Sequence, residues 1–125
     1  MADRRQQLGR AGEQMAAELL AGQGYQILAR NWRSGRSGEI DLVAQDGACL
    51  VIVEVRTRRG QAYGSAEESV TPAKQARLAA LAETYCDAAG WQGPRRIDVV
   101  AVSLSSDGRL LEVRHIENAV RGDPR

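Results

Sequence analysis

Gly38-Glu39-Ile40-Asp41-Leu42-Val43-Ala44-Gln45-Asp46-Gly47-Ala48-Cys49-Leu50-Val51-Ile52-Val53-Glu54-Val55-Arg56 holds two apolar runs, each broken by acids, on either side of an Asp-Gly pair. Glu39 to Ala44 reads as a strand, and Asp46-Gly47 as the two-residue turn of a hairpin. The returning strand, Cys49 to Thr57, is apolar on both faces from Leu50 to Val53. That is the pattern of a central strand covered on both sides. A charge at Glu54 is unusual there, because a buried carboxylate is costly unless it is paired.

Helical spacing of Met15, Ala16, Leu19 and Leu20 predicts a first helix from Gly9 to about Ala21, stopped by Gly22 and Gly24. Tyr25 to Trp32 reads as a strand that turns at Ser34 to Gly38. Beyond the hairpin, Arg58 to Val70 is rich in Gly, Ser and polar residues and reads as a loop. Thr71-Pro72 supplies an N-cap and a proline at the first helical position, opening a second helix that runs to about Ala89. Ile97 to Leu104 is a further strand, turned by Asp107-Gly108 into Leu110 to Ile116. The order α-β-β-β-α-β-β predicts an α/β architecture: a mixed central sheet of about five strands flanked by helices.

With 125 residues, 43% hydrophobic and 26% charged, the chain suits one globular domain. Its formal net charge of +1 gives no general attraction to nucleic acid, so any such binding must come from local patches. Two stand out: Arg30, Arg33 and Arg36, and Arg56, Arg58 and Arg59, both beside the acids of the hairpin. Lys74 is the one lysine of the chain. Cys49 and Cys86 have no metal-ligand spacing and are expected to be buried free thiols of a reducing compartment. The longest apolar run ends after six residues at Glu54, which argues against a membrane span or signal peptide and for a cytoplasmic protein.

Reflection about Asp46-Gly47 pairs Asp41 with a residue near Val51 or Ile52 and leaves Glu54 closer to Glu39. Two chemistries suit carboxylates gathered there. They can form half-buried ion pairs with Arg33, Arg56 or Arg58, or they can hold a hard divalent cation such as magnesium, which takes oxygen ligands and phosphate. Glu13, one turn into a helix, also complements the helix dipole. Asp98, after Arg95 and Arg96, reads as an ion-pair partner, His115 as an exposed residue, and Trp32 and Trp91 as packing residues.

Gly12-Glu13 with Ala16 and Leu20, Gly24-Tyr25-Gln26-Ile27-Leu28-Ala29-Arg30-Asn31-Trp32, Gly38-Glu39-Ile40-Asp41-Leu42-Val43, Val53-Glu54-Val55-Arg56-Thr57-Arg58 and Thr71-Pro72-Ala73-Lys74-Gln75 resemble, in order and spacing, the YraN-like family of predicted bacterial endonucleases. Asp98-Val99-Val100 and Ile116-Glu117-Asn118-Ala119 continue the match, which covers roughly residues 9 to 120 of a single nuclease-like domain spanning 1–125. The resemblance implies the restriction-endonuclease-like, PD-(D/E)xK fold and a kinship with archaeal Holliday-junction resolvases. Those combine a glutamate on the first helix with Asp and Glu-x-Lys on successive strands.

By that resemblance Glu13, Asp41 and Glu54 hold Mg2+ or Mn2+, and position 56 faces the attacking water. Here it is Arg56 instead of the family's lysine. Arginine stays protonated and cannot act as a base, whereas its planar fork can clamp a phosphate. The implied function is a metal-dependent endonuclease on DNA, branched or otherwise structured, with Arg33, Arg36, Arg56, Arg58, Arg59 and Lys74 on the nucleic acid. The alternatives are a binding module of the same fold that does not cleave, and an interaction protein with no nucleic-acid role. A homodimer would suit the two-fold symmetry of a branched junction.

Overall fold

The computed structural model describes residues 4–60 and 69–120. Its elements are α1 (Arg4–Gly22), β1 (Gln26–Arg33), β2 (Glu39–Asp46), β3 (Cys49–Arg59), α2 (Pro72–Ala89), β4 (Arg95–Leu104) and β5 (Leu110–Val120). The five strands form one sheet in the order β1-β2-β3-β4-β5. Only β3 and β4 run parallel, joined by the crossover that contains α2; the other neighbours are antiparallel. The expected mixed α/β sheet between helices is what the chain forms. Most of the predicted loop, residues 61–68, lies outside the described residues.

Leu50, Val51, Ile52 and Val53 are all fully buried because β3 is sandwiched between two apolar layers. On one face Val51 and Val53 meet Ala16, Ala17 and Leu20 of α1. On the other, Leu50 and Ile52 meet Leu78, Leu81 and Ala82 of α2. α2 begins where its chemistry demands: Thr71 is extended, its side chain accepts the Lys74 N–H at 3.2 Å, and Pro72 follows. It ends at Gly90, whose φ of 69° is the left-handed conformation of a helix C-cap. No helix among the described residues is long and apolar enough to cross a membrane.

Three local expectations change. The hairpin pairs Asp46 with Cys49, so its turn residues are Gly47 and Ala48 rather than Asp46 and Gly47. With Gly47 at φ 60° and no positive φ at Ala48, glycine occupies the first central position of the turn. The whole register therefore shifts. β5 continues past Ile116 to Val120 through an irregularity opposite Ile97 to Val99, and Asn118 takes φ 53° there. His115 is not exposed: its side chain is 7% accessible, with Nε2 2.7 Å from Asp98 Oδ2 and Nδ1 3.1 Å from Gln23 Oε1. Asp98, fully buried, also accepts from Arg96 Nε at 3.0 Å and from the Asn118 N–H at 2.8 Å. Trp32 packs edge-on to Tyr85 with ring centres 5.2 Å apart, and Trp91 donates to the Pro94 carbonyl at 3.0 Å; both pack against the core. Cys49 and Cys86 are free thiols, the second fully buried and the first half-buried.

α1 lies so close to β3 that a Cβ on Gly12 would fall 1.9 Å from Thr57 Oγ1 and 3.0 Å from its Cβ. Gly12→Ala should therefore destabilise the protein by about 1–3 kcal/mol through overpacking, outweighing the roughly 1 kcal/mol of helix propensity that alanine adds. Urea denaturation tests this, and a combined Gly12→Ala, Thr57→Gly variant should regain part of the loss.

Candidate active site

The β2–β3 ladder runs from Asp46–Cys49 to Leu42–Val53 and stops there. One further step in the same register sets Asp41 opposite Glu54, two residues from the pairing that reflection about Asp46-Gly47 predicts. Here the strands part: Asp41 Oδ2 accepts the Val55 N–H at 2.8 Å, so a side-chain oxygen satisfies a backbone donor that the ladder no longer serves. Side-chain alternation also breaks at this point. Ile40 packs on the α2 face and Leu42 on the α1 face, although both would share one face of a regular strand.

The parting opens a cleft of about 660 Å³. Its described lining includes four acids, Glu13, Glu39, Asp41 and Glu54, and four bases, Arg56, Arg58, Lys74 and Arg77. Glu13 comes from α1, Glu39 and Asp41 from β2, Glu54, Arg56 and Arg58 from β3, and Lys74 and Arg77 from α2. Glu54 is 3% exposed. Its Oε2 is 3.2 Å from Arg56 Nη1 and 3.6 Å from Lys74 Nζ, while Arg56 Nε donates to Ser69 Oγ at 2.9 Å. Burying a carboxylate costs several kcal/mol, and replacing a buried ion pair by apolar groups is often neutral or stabilising. Stability is thus a poor reason for Glu54 to be there.

The remaining predicted cations are distributed differently. Arg33 pairs with Glu39 at 3.3 Å, in a smaller depression lined also by Arg10, Glu13 and Asn31. Arg36 is exposed between β1 and β2. Arg59 turns away to donate to the Ser106 carbonyl at 2.9 Å, beside α1. Ser69, Arg77, Arg10 and Asn31 entered no site expectation. Arg77 had a legible signal, lying three residues from Lys74 on one helix face. Asn31 had another, since asparagine is depleted within strands.

Burial pushes the Asp41 carboxyl up to about 8, reinforced by the charges of Glu54, Glu13 and Glu39 and opposed by the Val55 hydrogen bond. Among the described residues no group of three or more aspartate, glutamate, histidine or cysteine side chains is placed to hold a metal ion. The donor set fits an open site instead. Two carboxylates at the parting, one of them raised by burial and by its acidic neighbours, match the one or two carboxylates that commonly hold magnesium together with phosphate and water.

A mixed five-stranded sheet between two helices, with its acids at the parting of two central strands, defines an α/β protein of restriction-endonuclease-like architecture. The model of the Uncharacterised protein family UPF0102 matches residues 12–102. A UPF0102 protein of Symbiobacterium thermophilum is 58% identical over 113 residues, covering 90% of this chain and 94% of the relative. UPF0102 proteins of Herpetosiphon aurantiacus and Roseiflexus castenholzii are 53% and 50% identical over 117 and 122 residues, covering 90% and 96% of this chain and 94% and 98% of theirs. The chain belongs to the UPF0102 family.

Asp41 ionises near 3.8 in an unfolded chain and near 8 in the folded protein, so between those values the unfolded state has lost a proton that the folded state keeps. Its contribution to stability is present in full below about pH 4 and is lost as pH rises through about 8. In EDTA, melting temperature should therefore fall between about pH 5 and about pH 8.5 by several degrees more in the wild type than in Asp41→Asn. Equal slopes in the two proteins would exclude this.

Proposed function

We propose that this protein is a divalent-metal-dependent endonuclease acting on DNA, with branched or structured DNA as its class of substrate. The observation that carries the reading is that Asp41 and Glu54, each one residue beyond the last β2–β3 ladder pair, line one cleft together with Arg56, Arg58, Lys74 and Arg77. Asp41 and Glu54, with Glu13 from α1, would hold Mg2+ or Mn2+; once bound, such an ion supplies charge stabilisation for the phosphate and leaving oxygen and activates a water. Phosphodiester hydrolysis forms a bond from water oxygen to phosphorus and breaks the bond to the leaving sugar oxygen, which takes up a proton.

The chain's own cations divide the remaining work. The Arg56 guanidinium, braced by Ser69, suits a two-pronged grip on a non-bridging phosphate oxygen. Lys74 reaches the same Glu54 oxygen from α2, so an ammonium stands at the carboxylate pair although strand position 56 holds none. It suits the orienting of the attacking water. Arg58 and Arg77 line the approach, and Arg33 and Arg36 lie on the β1 side, where a nucleic-acid backbone would extend.

One observation favours a second reading, a binding module of the same fold: the residue at position 56 is an arginine whose guanidinium is already held by Glu54 and Ser69. In that reading Arg33, Arg36, Arg56, Arg58, Arg59 and Lys74 bind nucleic acid with a steep salt dependence that survives loss of the carboxylates.

Calorimetric titration with Mg2+ and Mn2+, followed by cleavage of a four-way DNA junction, separates the two. The nuclease reading expects wild-type metal binding, its loss in Asp41→Ala, and at least about a hundredfold loss of cleavage in Asp41→Ala and Glu54→Ala. Lys74→Ala should retain metal binding and lose cleavage. Salt-sensitive DNA binding without metal binding or cleavage selects the binding module.

A further inference from the structure

Asn31 lies within β1 yet has φ 51°, one of two non-glycine residues with positive φ among those described. A strand has no use for a left-handed residue, and such backbone in the middle of one points from strain to function. The β1–β2 ladder keeps the same register on both sides of Asn31, Arg30–Leu42 before it and Trp32–Ile40 after it, so Asn31 falls opposite Asp41 at the one step the ladder leaves unpaired. Ala29 and Trp32 pack on the same α2 face, as do Ile40 and Val43, although a regular strand would send each pair to opposite faces. Both strands therefore turn over at the Asn31–Asp41 step with no residue inserted. The same turnover coincides with the point where β2 leaves β3 and Asp41 swings onto the Val55 N–H.

The Asn31 side chain also reaches the other helix. Its Nδ2 donates to Glu13 Oε1 at 3.0 Å, and the adjacent Arg30 Nη1 donates to Gln14 Oε1 at 2.8 Å. Few residues could do both tasks. Glycine accepts the backbone conformation but offers no donor; aspartate accepts it but would present a carboxylate to a carboxylate.

We infer that Asn31 is the positioning residue of the carboxylate site: its left-handed backbone releases Asp41 from the ladder, and its amide aims Glu13 at the cleft. The inference rests on the reading of Glu13, Asp41 and Glu54 as a metal site. It assigns Asn31 no contact with substrate.

Asn31→Gly keeps the backbone and removes the amide, so it isolates the second task. Mn2+ titration calorimetry and thermal unfolding in EDTA would be run on the wild type, Asn31→Gly, Glu13→Gln, the double variant and Asp41→Ala. Asn31→Gly should weaken Mn2+ binding by about tenfold or more, as loss of a partner that orients a ligand commonly does, with no fall in melting temperature. Glu13→Gln should weaken it similarly, and the double variant should be no worse than the weaker single one. Mn2+ affinity in Asn31→Gly within about twofold of the wild type, or losses that add in the double variant, would overturn the inference while the metal site stands, provided that Asp41→Ala abolishes binding. Absence of Mn2+ binding by the wild type would overturn both.

Discussion

Everything distinctive about this molecule follows from one substitution of hydrogen-bond partners. At Val55 the backbone N–H is received by the carboxylate of Asp41 instead of by a carbonyl of β2. A sheet interior cannot leave a backbone donor unpaired, so strands that part must find side-chain acceptors or stay together. Asp41 is such an acceptor, and it lets β2 and β3 diverge without an orphaned group. The divergence makes the cleft, draws Glu54 and Asp41 to its floor, and exposes that floor to residues from both helices.

The fold contains a second buried acid that shows what purely structural use looks like. Asp98 is fully buried, and Arg96, His115 and the Asn118 N–H all converge on it. Arg96 in turn reaches Tyr25, Asp46 and Glu117, which ties the buried acid into a wider hydrogen-bonded network. Each of the two acids has a left-handed asparagine beside it, Asn118 at Asp98 and Asn31 at Asp41. The difference lies in satisfaction. Asp98 is surrounded by donors, whereas Asp41 has one backbone donor and three acidic neighbours, which burial turns into a strongly raised pKa. Groups of the second kind cluster at functional sites.

The sequence spoke most clearly where local chemistry decides local structure. Thr71-Pro72 marks the start of α2, and its expected end at about Ala89 is where the helix stops, because capping is a matter of a few adjacent groups. The hairpin was legible as a hairpin, but its register was not, since Asp46-Gly47-Ala48 permits two placements of a two-residue turn and only the packing of β3 chooses between them. The same ambiguity hid how close Asp41 lies to Glu54. α1 begins at Arg4, ahead of the expected Gly9, and the close approach of α1 to β3 requires a glycine at position 12. His115 was illegible for another reason: its ring packs edge-on to Tyr25 and bonds to the buried Asp98, contacts that only the assembled sheet brings together. Glu13, Asp41, Glu54 and Lys74 were singled out by the family resemblance and all line the cleft; Asn31 carried only the weaker signal of an asparagine inside a strand, which does not by itself announce a positive φ.

The topology that assembles the cleft also orders its construction. Asp41 and Glu54 are thirteen positions apart on one hairpin and can meet as soon as that hairpin closes. Lys74 arrives only with the α2 crossover, whose completion aligns β3 beside β4 in parallel over ten residue pairs. Short loops close early and parallel pairings late. The hairpin alone therefore carries one cation for Glu54, Arg56 of β3 itself, and the crossover brings the second, Lys74, so the cleft's charge is completed by the longest connection in the sheet.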